Sequence, residues 1–213
     1  MNSNIHLDQP VLTLGADYQD AGAVVILLHG RGARAESMIP LAEELQIRGL
    51  RFLIPQAGKK RWYPQSAFGP LEPNQPDLDS ALGAVEGLIN QARQAGFSEQ
   101  QIVLGGFSQG ACLAAEFAVR NPSRYGGVFI FSGGLIGPPG EPRNLTGSFD
   151  SMPVFIGGSD LDPWISFEVL KNAENAFEDL NAMVTFKIYP GMPHTVNQDE
   201  IEQVKKIMQT VRK

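Results

Sequence analysis

Gln101-Ile102-Val103-Leu104-Gly105-Gly106-Phe107-Ser108-Gln109-Gly110 joins a short apolar run to a stretch with apolar residues at helical spacing, Ala111 to Val119. The order is strand, sharp turn, helix. In such a turn the serine occupies a strained position, and glycines flank it because a Cβ would collide where the two backbones approach closely. Ser108 then projects its hydroxyl above the end of the sheet. In a chain with 23 glycines the five-residue Gly-x-Ser-x-Gly pattern is not specific alone. Its meaning depends on what surrounds it.

The same alternation extends along the chain. Apolar runs rich in β-branched and aromatic residues recur at Val24–Leu28, Arg51–Ile54, Ile102–Gly105, Gly127–Phe131, Pro153–Ile156 and Val184–Tyr189. Between most of them lie segments of helical period: Ile39–Ile47, Leu78–Ala92, Ala111–Val119, Phe167–Phe177 and Ile201–Val211. Val24-Val25-Ile26-Leu27-Leu28 is continuously apolar, as a strand buried on both faces must be. The expected architecture is α/β, a mostly parallel central sheet with helices on both faces. The stretch Gly133–Met152, dense in glycine and proline, reads as a long loop, a class that is often functional.

The 213 residues, 43% hydrophobic and 19% charged, suit one domain spanning 1–213 and leave no room for a large cap domain. A net charge of -6 argues against a nucleic-acid partner, and the basic triplet Lys59-Lys60-Arg61 reads as a solvated loop. One cysteine, Cys112, excludes an internal disulfide and a cysteine-based zinc site, and it reads as a buried helix residue. Met1–Gly15 has neither a basic nor an apolar leader segment, and the longest aliphatic run, Ala23–Leu28, is too short to span a bilayer. A cytoplasmic protein without stable membrane insertion is expected. A homodimer is compatible with this composition.

In open α/β sheets ligands bind beyond the carboxyl ends of the strands. Four strand ends carry chemistry: His29-Gly30-Arg31-Gly32, Ser108, Asp160 with Asp162, and His194. A serine hydroxyl needs a neighbouring base, and the base needs a third group to fix its tautomer. Of the histidines His6, His29 and His194, only the last lies downstream of Ser108, as the chain order serine, acid, histidine requires. The acid should follow a strand end, which sets aside the helical Glu116, Glu168, Glu174 and Glu178 and leaves Asp160 and Asp162. Asp162 is favoured because Pro163 biases its backbone toward an extended form. The other aspartate then reads as a cap for the helix starting near Ser166. Donors for a developing oxyanion are expected from the Gln109 N–H and the Arg31 N–H. His29 reads as a brace for its loop.

These residues resemble the phospholipase/carboxylesterase family of serine hydrolases, which includes the acyl-protein thioesterases. The resemblance is carried by Leu27-Leu28-His29-Gly30-Arg31-Gly32, Gly105-Gly106-Phe107-Ser108-Gln109-Gly110, Asp162-Pro163-Trp164-Ile165 and Tyr189-Pro190-Gly191-Met192-Pro193-His194-Thr195. It implies a minimal α/β-hydrolase fold, a triad of Ser108, Asp162 and His194, and oxyanion donors at Gln109 and Arg31. Two positions depart from the family pattern: Ala111 stands where a second glycine is common, and Ser166 where a proline is common. The expected activity is hydrolysis of carboxylic esters with short or medium acyl chains, without a metal or organic cofactor. Thioesterase or lysophospholipase activity with the same triad, a ligand-binding module without turnover, and a lyase or other carbon-carbon chemistry on the same scaffold are the competing readings. Substrate contacts are expected from Trp62, Tyr63 and Phe68 in the segment Gln56–Pro70, from Leu135 and Ile136, and from Trp164.

Overall fold

The computed structural model describes residues 4–211. Its centre is a seven-stranded sheet of β1 (Val11–Gly15), β2 (Ala23–Leu28), β3 (Leu50–Pro55), β4 (Ile102–Phe107), β5 (Gly127–Phe131), β6 (Pro153–Ser159) and β7 (Met183–Tyr189). The spatial order is β1-β3-β2-β4-β5-β6-β7. β1 pairs antiparallel with β3, and the other pairs are parallel. The first three amino-terminal residues of the leader-free reading, and the last two of the 1–213 domain, lie outside the described residues.

Each expected apolar run is a strand; β1 is the addition. Its side chains alternate between exposed and half-buried, with Val11 outward and Leu12 and Leu14 packed on the core. An edge strand covered on one face has no continuous apolar run to reveal it. β2 behaves in the opposite way. Val24, Ile26 and Leu28 point into one core with Leu104 and Ile130, while Ala23, Val25 and Leu27 point into the other with Phe52, Phe129 and Phe155.

Helices α1 (Ile39–Leu45), α2 (Asp77–Gln94), α3 (Gln109–Arg120), α4 (Phe167–Asp179) and α5 (Gln198–Thr210) cover the sheet. The first core takes the apolar faces of α2, α3 and α4, and the second takes those of α1 and α5. α3 is buried from Gln109 through Val119, which accounts for its alanine-rich composition beside β4 and β5. This is the α/β-hydrolase arrangement that the sequence implied. No described helix is long and apolar enough to cross a membrane.

The stretch 133–152 contains no helix or strand, yet its first five residues, 133–137, are buried. Glu116 of α3 holds it. The Glu116 carboxylate accepts from Arg120 Nε at 2.7 Å, from the Ile136 N–H at 2.9 Å and from Arg143 Nη1 at 3.0 Å. Arg143 Nη2 also donates to the Ile136 carbonyl. A carboxylate with a 2% exposed side chain thus carries three donors, two of them cationic.

Candidate active site

The turn between β4 and α3 has the geometry that its glycines require. Ser108 sits at φ 55°, ψ -121°, a left-handed conformation that non-glycine residues seldom adopt and that stores strain of about 1–3 kcal/mol. A Cβ on Gly106 would lie 2.5 Å from the Leu28 carbonyl oxygen, and one on Gly110 closer still. β2, β4 and α3 therefore meet backbone to backbone. Ala111, where the family often has glycine, is accommodated from the other side. A Cβ on its neighbour Gly133 would come within 2.6 Å of the Ala111 methyl.

Three further strand ends converge on this turn. Ser108 and His194 line one cavity of about 600 Å³. His194 Nδ1 and Asp162 Oδ2 are 2.6 Å apart, and the Asp162 side chain is fully buried. The second carboxylate oxygen, Oδ1, accepts from the Trp164 N–H at 2.8 Å and the Ile165 N–H at 3.1 Å. With both oxygens occupied the carboxylate cannot rotate away. A carboxylate acceptor at Nδ1 places the ring proton there and leaves Nε2 free to act as a base. The Phe107 ring packs against the imidazole at a centroid distance of 4.7 Å.

Asp160 is not in contact with His194. Its Oδ1 accepts from the Gly191 N–H at 2.7 Å, so it braces the turn that begins the histidine loop. Ser166, which neither aspartate replaces, caps α4 by accepting from the Val169 N–H.

The far end of that loop is fixed by a capping box, in which Asn197 accepts from the Glu200 N–H and Glu200 Oε2 accepts from the Asn197 N–H. Glu200 is fully buried, and its other oxygen, Oε1, has no hydrogen-bond partner among the described residues. Burial pushes its carboxyl from 4.5 up to about 7. Between those values the folded chain binds more protons than the unfolded one. The contribution of Glu200 to stability is therefore full below the unfolded value and is lost as pH rises through the folded one. Glu200→Gln keeps the acceptor and removes the ionisation. It should raise the urea midpoint over the native protein far more at about pH 8.5 than at about pH 5.5. An equal shift at both would contradict this role.

The expected oxyanion donors flank the serine. Gln109 opens α3, where a helix leaves its first N–H groups without intrahelical acceptors. In the 29–33 loop the Gly32 N–H donates to the Lys60 carbonyl and the Ala33 N–H to the Gly30 carbonyl. Neither bond uses the Arg31 N–H. His29 braces this loop from below. Its Nε2 accepts from the Ala57 N–H at 3.0 Å, so Nδ1 carries the proton and donates to the Gly30 carbonyl at 2.8 Å. Burial holds His29 below the usual imidazole range, in keeping with the neutral ring.

Of the six residues expected to contact substrate, three line the cavity and three do not. Tyr63, Phe68 and Trp164 line the cavity. Trp62 does not: it is fully buried, its ring packs on those of His29 and His6, and its Nε1 donates to the His29 carbonyl at 2.8 Å. Leu135 and Ile136 also stand away from the cavity, drawn into the first core where Glu116 fixes the Ile136 amide. An aromatic or aliphatic residue near a strand end is drawn inward wherever a core is available to receive it.

The residues missed from sequence are braces and one lining thiol. Both ends of the Gln109 amide are used, Oε1 accepting from the Trp62 N–H at 3.0 Å and Nε2 donating to the Tyr63 carbonyl at 2.9 Å. His6 Nδ1 accepts from the Gly58 N–H, and its Nε2 then donates to the Trp62 carbonyl. Cys112 lines the cavity one helical turn after Ser108, a spacing that could have revealed it. Burial pushes its thiol up to about 11, so at neutral pH it is no rival nucleophile.

The phospholipase/carboxylesterase family model matches residues 14–212. Acyl-protein thioesterase 1 of Saccharomyces cerevisiae is 29% identical, with 91% of this chain and 94% of that protein covered. The mouse lysophospholipase-like protein 1 is 24% identical over 95% of this chain and 91% of its own. A solved phospholipase/carboxylesterase from Dyadobacter fermentans superposes with a TM-score of 0.91 at 38% identity, covering 98% of this chain and all of that one. A fold match over nearly the whole chain, joined to sequence identity at that level, places this enzyme in the phospholipase/carboxylesterase family of serine hydrolases.

Proposed function

We propose that the protein hydrolyses carboxylic esters with short or medium acyl chains through an acyl-enzyme formed on Ser108. One observation carries this reading: the buried Asp162 carboxylate, held at both oxygens, orients His194 beside the strained serine turn in one cavity. His194 Nε2 takes the Ser108 proton as Oγ attacks the carbonyl carbon, and the Gln109 and Arg31 N–H groups receive the oxyanion. Collapse of the tetrahedral adduct transfers that proton to the departing alcohol. Water, deprotonated by the same nitrogen, then releases the acid and restores Ser108. The cleft is open and uncapped, with Trp164 71% exposed at its mouth, which favours short and medium chains over long ones.

A thioester substrate uses the same atoms, and the likeness to acyl-protein thioesterase 1 of Saccharomyces cerevisiae supports that second reading. A cytoplasmic setting and one catalytic domain over the chain belong to the proposal. So does a small-molecule substrate.

The test is hydrolysis of 4-nitrophenyl esters of increasing acyl length, with matched thioesters, by the native protein and by Ser108→Ala. The native protein should be fastest on short or medium chains, and Ser108→Ala should retain no more than about one part in 10⁴. Native protein inert toward the whole series would leave the binding-module reading standing, and a variant as fast as native would contradict an acyl-enzyme on Ser108.

A further inference from the structure

The cavity has an uneven charge. Among the described residues that line it, Arg31 is the only one with a permanent charge, and none is acidic. This is notable in a chain of net charge -6. The Arg31 guanidinium is exposed. It donates from Nη1 to the Pro64 carbonyl at 2.8 Å and from Nη2 to the Gln65 carbonyl, and it makes no ion pair with a described carboxylate. Neutral carbonyls orient the fork without cancelling its charge. The charged neighbour acting on it is Arg61, another cation; Tyr63 and Cys112 are buried and hold their protons at neutral pH.

The basic triplet Lys59-Lys60-Arg61 adjoins the same loop, and its Arg61 acts on Arg31 as a like charge. The Lys60 carbonyl accepts from the Gly32 N–H at 2.7 Å, which ties the triplet to the Arg31 loop. Lys59 and Lys60 are exposed, Arg61 is half-buried, and none has a carboxylate partner among the described residues. Arg61 Nε is buried without an acceptor. Four cations without an ion-pair partner among the described residues thus lie on the Arg31 loop and the segment bonded to it, and Arg31 lines the cleft.

We propose that Arg31, backed by this basic rim, recognises an anionic group on the substrate, so that the preferred esters or thioesters carry a carboxylate or phosphate. The inference rests on the hydrolase reading above and narrows its substrate class. A guanidinium already aimed by two carbonyls loses little freedom on pairing with an oxyanion group, and a cleft with low-dielectric walls concentrates its field on the incoming substrate.

The test compares 4-nitrophenyl butyrate with mono-4-nitrophenyl glutarate, which share a leaving group and differ by a carboxylate at the acyl end. A butyrate ester of glycerol phosphate, set against glycerol monobutyrate, places the anion on the alcohol side instead. The native protein should favour at least one anionic ester over its neutral counterpart by about tenfold or more in kcat/KM, mainly through KM. The ester that responds identifies the side. Arg31→Met should reduce the ratio to near one, Arg31→Lys should restore part of it, and Lys59→Gln with Lys60→Gln should lower it and its salt dependence. A native ratio of one or less for both anionic esters overturns the proposal. So does equal loss on all four esters in Arg31→Met, which would make the side chain only a clamp on the wall. A rise in butyrate hydrolysis on phosphatidylserine vesicles with the ratio still at one would assign the rim to a lipid surface and equally overturn it. If no ester is turned over, the hydrolase reading fails on its own. Glutarate binding to Ser108→Ala, lost on adding Arg31→Met, then decides the recognition claim separately.

Discussion

Asp162→Asn is expected to lower turnover of a 4-nitrophenyl ester by about 10⁴-fold, while Asp160→Asn stays close to native. The asymmetry comes from what each carboxylate holds. Asp162 accepts from His194 Nδ1 and from two backbone N–H groups. An amide there can offer its NH2 to Nδ1, which would move the ring proton to Nε2, the nitrogen that must take the serine proton. It would also leave the imidazolium without a counter-charge. Asp160 only accepts from the Gly191 N–H, a bond that an asparagine oxygen can keep. Steady-state kinetics on both variants checks this, with circular dichroism to verify folding. Comparable losses at the two positions, or the reverse order, would contradict the assignment of Asp162.

Glu116→Gln should be the most damaging single-atom-scale change to stability, at about 3 kcal/mol. The figure is at the low end for a broken buried ion pair because Arg120 and Arg143 are partly exposed, at 36% and 22%. The substituted amide would offer one acceptor oxygen where three donors converge, and would turn its own N–H groups toward a guanidinium. For a chain of this length the melting temperature should fall by roughly 10 °C. The stretch 133–146 should also exchange its amide hydrogens faster, since the Ile136 N–H loses its acceptor. A melting temperature within about a degree of native would show that the carboxylate contributes little.

The parts of the fold that were legible are those whose burial leaves a pattern. β2, β4, β5 and β6 are covered on both faces and read as unbroken apolar runs. β1 was not legible because an edge strand of alternating exposure needs few apolar residues. The positions of Ser108, Asp162 and His194 followed from strand ends and from chain order. The wall was harder. Trp62 and Tyr63 are adjacent and both fully buried, yet Trp62 packs on two histidines while Tyr63 faces the cavity. That division is decided by Gln109, whose side chain clamps the backbone of both residues from α3, 46 positions or more away in the chain. Local pattern carries no trace of so distant a constraint.

The basic triplet gives the same lesson with the opposite sign. Lys59-Lys60-Arg61 read as solvated because three cations in a loop usually are. Its relation to the site appears only through the bond from the Gly32 N–H to the Lys60 carbonyl. His6 was likewise silent in the sequence, although it fixes the turn that leads into the triplet by accepting from the Gly58 N–H. Burial holds His6, like His29, below the usual imidazole range, so both braces are neutral rings at neutral pH.

The most direct measurement is peptide mapping by mass spectrometry after labelling with a fluorophosphonate, which reacts preferentially with a hydroxyl activated as a nucleophile. A single adduct on the peptide containing Ser108, abolished in His194→Ala and absent from Ser108→Ala, is the expected result. An unlabelled protein that still cleaves esters, or an adduct mapping to any other residue, would contradict catalysis through Ser108.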